Sequence, residues 1–128
     1  MYIGTSVNES PVIAGIAAAD IADGSMLAVS MDDTGIKAVA NAGDVAVGIL
    51  IAETDGVKQG DTVTVQIKDI GLWKTGAAVS AGDLLTPDAN GKATKAAAGN
   101  FILAQAMEAA TAADQVIRVQ IIKAGYAA

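Results

Sequence analysis

The chain contains no histidine and no cysteine among its 128 residues. The first absence removes the imidazole base and every His-type metal site; the second removes thiolate nucleophiles, thiolate zinc ligands and disulfides. Hydrolysis through a Ser-His-Asp arrangement is excluded by composition alone. The lack of cysteine leaves the redox compartment open. Aromatic residues make up 3% of the sequence against 52% hydrophobic residues, so much of the apolar content is alanine and the expected core is thin. No apolar run reaches the length of about 18 residues that a membrane-spanning helix needs. The start, Met1-Tyr2-Ile3-Gly4, has neither the basic segment nor the long apolar stretch of a secretory signal. A soluble, unprocessed protein with no membrane partner is expected. Positive charge is scarce as well, with Lys+Arg 8 against Asp+Glu 14 and a net charge of −6. The basic residues are scattered, whereas a nucleic-acid groove needs them clustered to displace counterions, so no nucleic-acid partner is expected.

What the sequence does have is repetition. From Ile21 to Ile70 the order is an Asp23-Gly24 turn, Met26-Leu27, the turn Asp33-Thr34-Gly35, the apolar run Val45 to Ile51, Gly60-Asp61 and Val63-Thr64-Val65-Gln66-Ile67. From Val79 to Ile122 it recurs as Gly82-Asp83, Leu84-Leu85, Asn90-Gly91, Phe101-Ile102-Leu103-Ala104, Asp114 and Ile117-Arg118-Val119-Gln120-Ile121. Self-similarity of this length marks two copies of one supersecondary unit that bury a shared face. The length is that of one domain. Residues 1–15, polar from Thr5 to Ser10 and with no partner in the other half, read as an N-terminal arm, and residues 16–128 as a single β domain. Gly71 to Ala78 reads as the connection between the copies.

The local cues are those of strands. Val63, Val65 and Ile67 alternate with Thr64 and Gln66 as in a half-buried strand, and Val116 to Ile122 is rich in β-branched residues; Val63, Val65, Ile67, Val119 and Ile121 are expected to face the core. Asn90-Gly91 between two short apolar stretches predicts a type I′ hairpin, with Pro87 at a strand end or edge. Met26 to Ser30 and Gly35 to Val39 should form the matching hairpin. Ile102 to Glu108 reads as a strand and a turn, with a short helical turn at Ala109 to Ala113. The fold class is therefore all-β: a small barrel or sandwich built from two duplicated units, with an extended N-terminal arm. Trp73, the single tryptophan, either plugs the end of a small barrel or is an interface aromatic in contact with a partner.

Candidate chemistry is sparse. Asp32-Asp33, or Asp20 with Asp23, are the places to look for a carboxylate pair, but all lie in turn-like sequence where aspartate bonds its own backbone. No EF-hand ligand spacing occurs. Gly43-Asp44, Gly60-Asp61 and Gly82-Asp83 each precede an apolar segment and read as strand-entry turns. Asn8-Glu9-Ser10 fits the glycosylation pattern by chance. Lys92, beyond a hairpin turn, is reminiscent of the modified lysine of lipoyl or biotinyl carrier domains, which leaves a carrier or accessory β domain of an enzyme as an alternative. No catalytic, cofactor-binding or metal-ligating residue is assigned, and no enzymatic activity is expected.

The order of Val45-Ala46-Val47-Gly48, Gly60-Asp61-Thr62-Val63-Thr64-Val65, Val79-Ser80-Ala81-Gly82-Asp83-Leu84-Leu85, Asn90-Gly91-Lys92-Ala93-Thr94, Ile102 to Ala109 and Ile117-Arg118-Val119 resembles the capsid decoration, or cement, proteins of tailed bacteriophages. The resemblance runs from about Ala38 to Ile122. Ala104 stands where such proteins often place glycine, and the segment before Gly15 matches nothing in the pattern, so capsid-contact residues do not carry over. The resemblance implies a structural protein without cofactor. It would be made in the host bacterial cytoplasm and bound to the major capsid protein on the outer surface of the virion, as a homotrimer that braces the head. The unpaired N-terminal segment is the expected capsid-binding arm, with Tyr2, Ile3, Thr5 and Val7 as its contact residues and its backbone adding a strand to a neighbouring sheet.

Overall fold

The computed structural model describes residues 10–22, 25–51 and 56–128. Among them the chain forms twelve strands: β1 (Val12–Ile16), β2 (Ile21–Ala22), β3 (Ala28–Asp32), β4 (Gly35–Ala38), β5 (Gly48–Ile51), β6 (Gly56–Val57), β7 (Thr62–Gln66), β8 (Asp69–Lys74), β9 (Leu84–Pro87), β10 (Ala93–Lys95), β11 (Ala104–Ala106) and β12 (Val116–Ile121). Two five-stranded antiparallel sheets, β1-β7-β5-β3-β4 and β8-β12-β11-β9-β10, carry the fold, and β2 and β6 form a short ribbon. The all-β expectation holds, in sandwich-like form.

The two sheets have the same strand order, and the duplication extends to single residues. Val65 lies between Leu50 and Ile13, and Val119 lies between Ala106 and Gly71. The identical tripeptides Val65-Gln66-Ile67 and Val119-Gln120-Ile121 are thus structural equivalents. Ile21 pairs with Val57 across the ribbon, and Val79 makes the matching bridge to Ala110. After β1, Ala17 bridges to Ile36 of β4; after β8, Thr75 bridges to Ala93 of β10. Each sheet therefore curls until its first and last strands touch.

This equivalence corrects two boundaries drawn from sequence. Residues 12–15, assigned to the arm, enter β1 and pair along β7 from Val12↔Gln66 to Ile16↔Thr62. Residues 71–74, assigned to the connection, belong to β8, which pairs along β12. Residues 12–15 and 71–74, which stood outside the repeat, thus belong to its two first strands.

The core follows the same plan. Inside the first sheet Val29, Ile36, Leu50, Val63 and Val65 pack with Ala17, Ile21 and Val57, and Ile67 lies partly buried against them. Inside the second, Leu85, Ala93, Ala106, Ile117 and Val119 pack with Trp73, Val79, Ala110 and Ile121. Ala28 and Ile49, on the opposite face of the first sheet, join the second cluster together with Phe101 and Leu103. The apolar run Val45 to Ile51 is explained by this: Ile49 and Leu50 belong to different clusters, so β5 is buried on both faces.

Turns are built as their residues dictate. Asp44, Asp61 and Asp83 each close a four-residue turn twice. The amide of each donates to the carbonyl three residues back, and the carboxylate accepts from that same residue's N–H: Asn41 at 3.0 Å, Lys58 at 3.0 Å and Ser80 at 2.9 Å. The preceding glycines have φ of 81, 91 and 90°, where a side chain would be strained. The Gly-Asp pairs are strand-entry turns. The β3–β4 hairpin forms with Met31↔Ile36 and Asp32↔Gly35 in register. The second hairpin departs from a two-residue type I′ turn: Pro87 pairs with Ala93, and within the loop only Gly91 has positive φ. Asp88 shapes that loop, its Oδ1 accepting from the amides of Asn90 and Lys92. Ala109 to Ala113 contains no helix; the bridge of Ala110 to Val79 and the donation of Thr75 Oγ1 to the Ala112 carbonyl claim that backbone instead.

Candidate functional site

Several residues singled out from sequence serve the fold. Asp32 accepts from the Thr34 amide at 2.8 Å and pairs with Lys37 at 2.6 Å. The Lys37 ammonium, with help from Thr34, holds its carboxyl far below the usual aspartate range. Asp20 Oδ1 accepts from the Gln59 amide at 2.8 Å. Asp23 lies outside the described residues, as do Tyr2, Ile3, Thr5, Val7 and Asn8. Lys92 Nζ sits 2.5 Å from Asp114 Oδ1, docked against the second sheet. Among the described residues no group of acidic side chains is placed to hold a metal ion.

Trp73 is fully buried, so it has no exposed ring to offer a partner. Its indole N–H donates to the Gly91 carbonyl at 2.9 Å, and the Ala28 amide donates to the same oxygen at 2.8 Å. Since Ala28 belongs to the first sheet and Gly91 to the second hairpin, this carbonyl joins the two units. The Lys74 amide donates across the same boundary to Met26 at 3.0 Å, and the Gly43 amide to Pro87 at 2.9 Å.

The surface feature that sequence reasoning missed lies beside this joint. A groove of about 460 Å³ opens between the two units, with Ile51, Gln66 and Met26 on the first-unit side and Ile70, Leu72 and Arg118 on the second. Ile51, Ile70 and Leu72 are about half exposed, at 46%, 54% and 51%. The alternation in β8 between exposed Ile70 and Leu72 and buried Gly71 and Trp73 was the available signal. Reading 71–78 as a connection hid it. Arg118 flanks the groove, its amide bonded to Glu108 Oε1 at 2.7 Å. That bond, followed by the guanidinium charge, draws the Glu108 carboxyl below its ordinary value.

The profile of a family described as phage cement protein matches residues 37–121. The chain belongs to the phage cement protein family, which places it among the structural proteins of the phage head. The match starts in β4 and ends where β12 ends, so it covers β5 to β7 of the first unit and all of the second, and leaves β1 to β3 outside it. No curated protein matches the chain. Among solved structures, the head fiber gp8.5 N base in bacteriophage phi29 superimposes with a TM-score of 0.64, covering 91% of this chain and 98% of that one at 19% identity. At that identity the likeness is one of fold.

Proposed function

We propose that this protein is a capsid decoration protein that binds the major capsid protein on the outer surface of a phage head, as a homotrimer, and stabilises the shell. The observation that carries this reading is membership of the phage cement protein family across residues 37–121. The chemistry agrees with it. Asp32 and Asp20 accept hydrogen bonds from the backbone amides of Thr34 and Gln59, and Lys92 is paired with Asp114 rather than displayed as a carrier lysine would be. The role needs no cofactor and no catalysis. Symmetric repetition on a shell lets individually weak contacts hold, because after the first contact the others are nearly intramolecular.

Attachment is assigned to the N-terminal arm, with Tyr2, Ile3, Thr5 and Val7 supplying contacts and the backbone adding a strand to a neighbouring sheet. Residues 12–15 of this segment lie in β1, so the proposed arm ends before the sequence boundary at residue 15. Sedimentation with expanded heads tests both parts of the reading. The full chain should co-sediment and saturate; a chain lacking residues 1–9 should keep its melting temperature and bind heads much more weakly. Absence of binding by the full chain overturns the decoration role, and undiminished binding by the truncated chain overturns the role of the arm.

A further inference from the structure

Strand β8 is the outer strand of its sheet, paired with β12 alone. Leu72 lies opposite Arg118, whose amide is bonded to Glu108 and whose carbonyl accepts from Met107. Both main-chain groups of Arg118 thus turn away from β8. In an antiparallel ladder the opposed residue does the same, so the N–H and C=O of Leu72 point outward into the groove. Two residues on, the outward amide of Lys74 already donates to Met26. The Leu72 groups have no such partner among the described residues. An apolar strand edge of this kind is a template for one more strand.

The sequence supplies a strand of the right type. The segments that pair with β1 and β8 are Thr64-Val65-Gln66 in β7 and Arg118-Val119-Gln120 in β12. Ser6-Val7-Asn8 has the same polar-valine-amide pattern, and Val7 stands six residues before Ile13 as Val65 stands six before the equivalent Gly71. Each sheet already holds one strand of this pattern, and the third copy, residues 6–8, precedes both in sequence. The fold also argues against return to the same groove. The Pro11 carbonyl accepts from the Ile67 amide at 2.8 Å, on the β1 side of β7, whereas the groove opens on the β5 side against Ile51.

The flanking outward groups are taken, the Ile70 carbonyl by Gln66 Nε2 and the Lys74 amide by Met26, so the open position is Leu72. We propose that residues 4–8 of one copy add as a strand at the open N–H and C=O of Leu72 on the edge of β8 in a second copy, lying in the groove between Ile51 and Leu72. This goes beyond the attachment reading above by giving the arm a second copy of the chain as its acceptor. Each copy then gives an arm and receives one through different surfaces, a head-to-tail contact that makes a ring when it closes, as a trimer does.

The cysteine-free sequence allows a direct test. A chain carrying Ser6→Cys or Val7→Cys is mixed with a chain carrying Leu72→Cys and oxidised, free in solution and on heads. A disulfide between the two chains is expected, at least about tenfold more abundant than with Ile16→Cys, another exposed apolar position, as the acceptor. Leu72→Lys should keep the melting temperature and abolish the trimer. Equal yields with both acceptors, or a trimer that survives Leu72→Lys, overturn the proposal. An arm cysteine that cross-links to the capsid protein alone overturns it while leaving the attachment reading intact. Cross-linking to Leu72→Cys with undiminished head binding by the truncated chain supports it and removes the attachment reading instead.

Discussion

Gly15 and Trp73 occupy the same place in the two sheets, each two residues before the bridge that joins first strand to last. The difference in volume is matched across the core. The residue that receives the bridge is Ile36 beside Gly15 and Ala93 beside Trp73. A Cβ on Gly15 would lie 2.7 Å from Ile36 Cγ1, too close for a real contact. Gly15→Ala should therefore destabilise the protein by about 1–3 kcal/mol through overpacking. Ile36→Ala alone should cost about 2–5 kcal/mol. In a denaturant-melting cycle the double variant should cost less than the sum, because each change relieves the other. Strict additivity would show that the two residues do not share space.

The joint between the units depends on Gly91. Its φ of 77° and a Cβ position 2.8 Å from the Ala28 carbonyl oxygen leave no room for a side chain. Gly91→Ala should cost more than the ~1 kcal/mol of an ordinary backbone penalty. Trp73→Phe, which removes the N–H bonded to Gly91 and opens a cavity, should cost about 2–4 kcal/mol. Thermal unfolding of both variants, with a cost under about 0.5 kcal/mol for either, would contradict the central place given to this carbonyl.

Thr86 is 2% exposed, and its hydroxyl oxygen has no hydrogen-bond partner among the described residues. Thr86→Val keeps the shape and removes the unpaired group, so it should raise stability by about 1 kcal/mol. A loss of stability on the same scale would mean that the hydroxyl has a partner in solution.

Acid should weaken the second hairpin's tie to the sheet. The Lys92 ammonium holds the Asp114 carboxyl below its ordinary value of 3.8. A carboxyl with a lowered folded value stabilises the protein above that ordinary value and loses the contribution as pH falls through and below it. Asp114→Asn should lower the melting temperature slightly at pH 6 and by less at pH 2, below the ordinary carboxyl value, where protonation of the native side chain removes the contribution. Asparagine tolerates the positive φ of 63° at this position, so backbone strain does not confuse the comparison. A difference of the same size at both pH values would show that the ion pair is not its source.

Much of the fold was legible in the sequence because the repeat is written in turns. Gly-Asp pairs, the Asp32 turn and the alternation in β7 and β12 depend on local chemistry, which survives duplication. The first strands were not legible for a physical reason. Val12-Ile13-Ala14-Gly15 and Ile70-Gly71-Leu72-Trp73 share almost no residues, since a core can exchange glycine plus isoleucine for tryptophan plus alanine and keep its volume. Their equivalence appears only in the pairing with β7 and β12. The type I′ expectation failed because Gly91 is placed by tertiary bonds to Ala28 and Trp73, which the local sequence does not carry. The groove was hidden for the same reason as β8: its apolar walls come from Ile51 and Leu72, in different units.

The proposed bracing of the shell is measured by the temperature at which DNA-filled heads lacking the protein release their DNA, with and without a saturating amount of the purified chain. A rise in release temperature that saturates with the number of bound copies is the expected result. Bound protein with an unchanged release temperature would contradict the stabilising role.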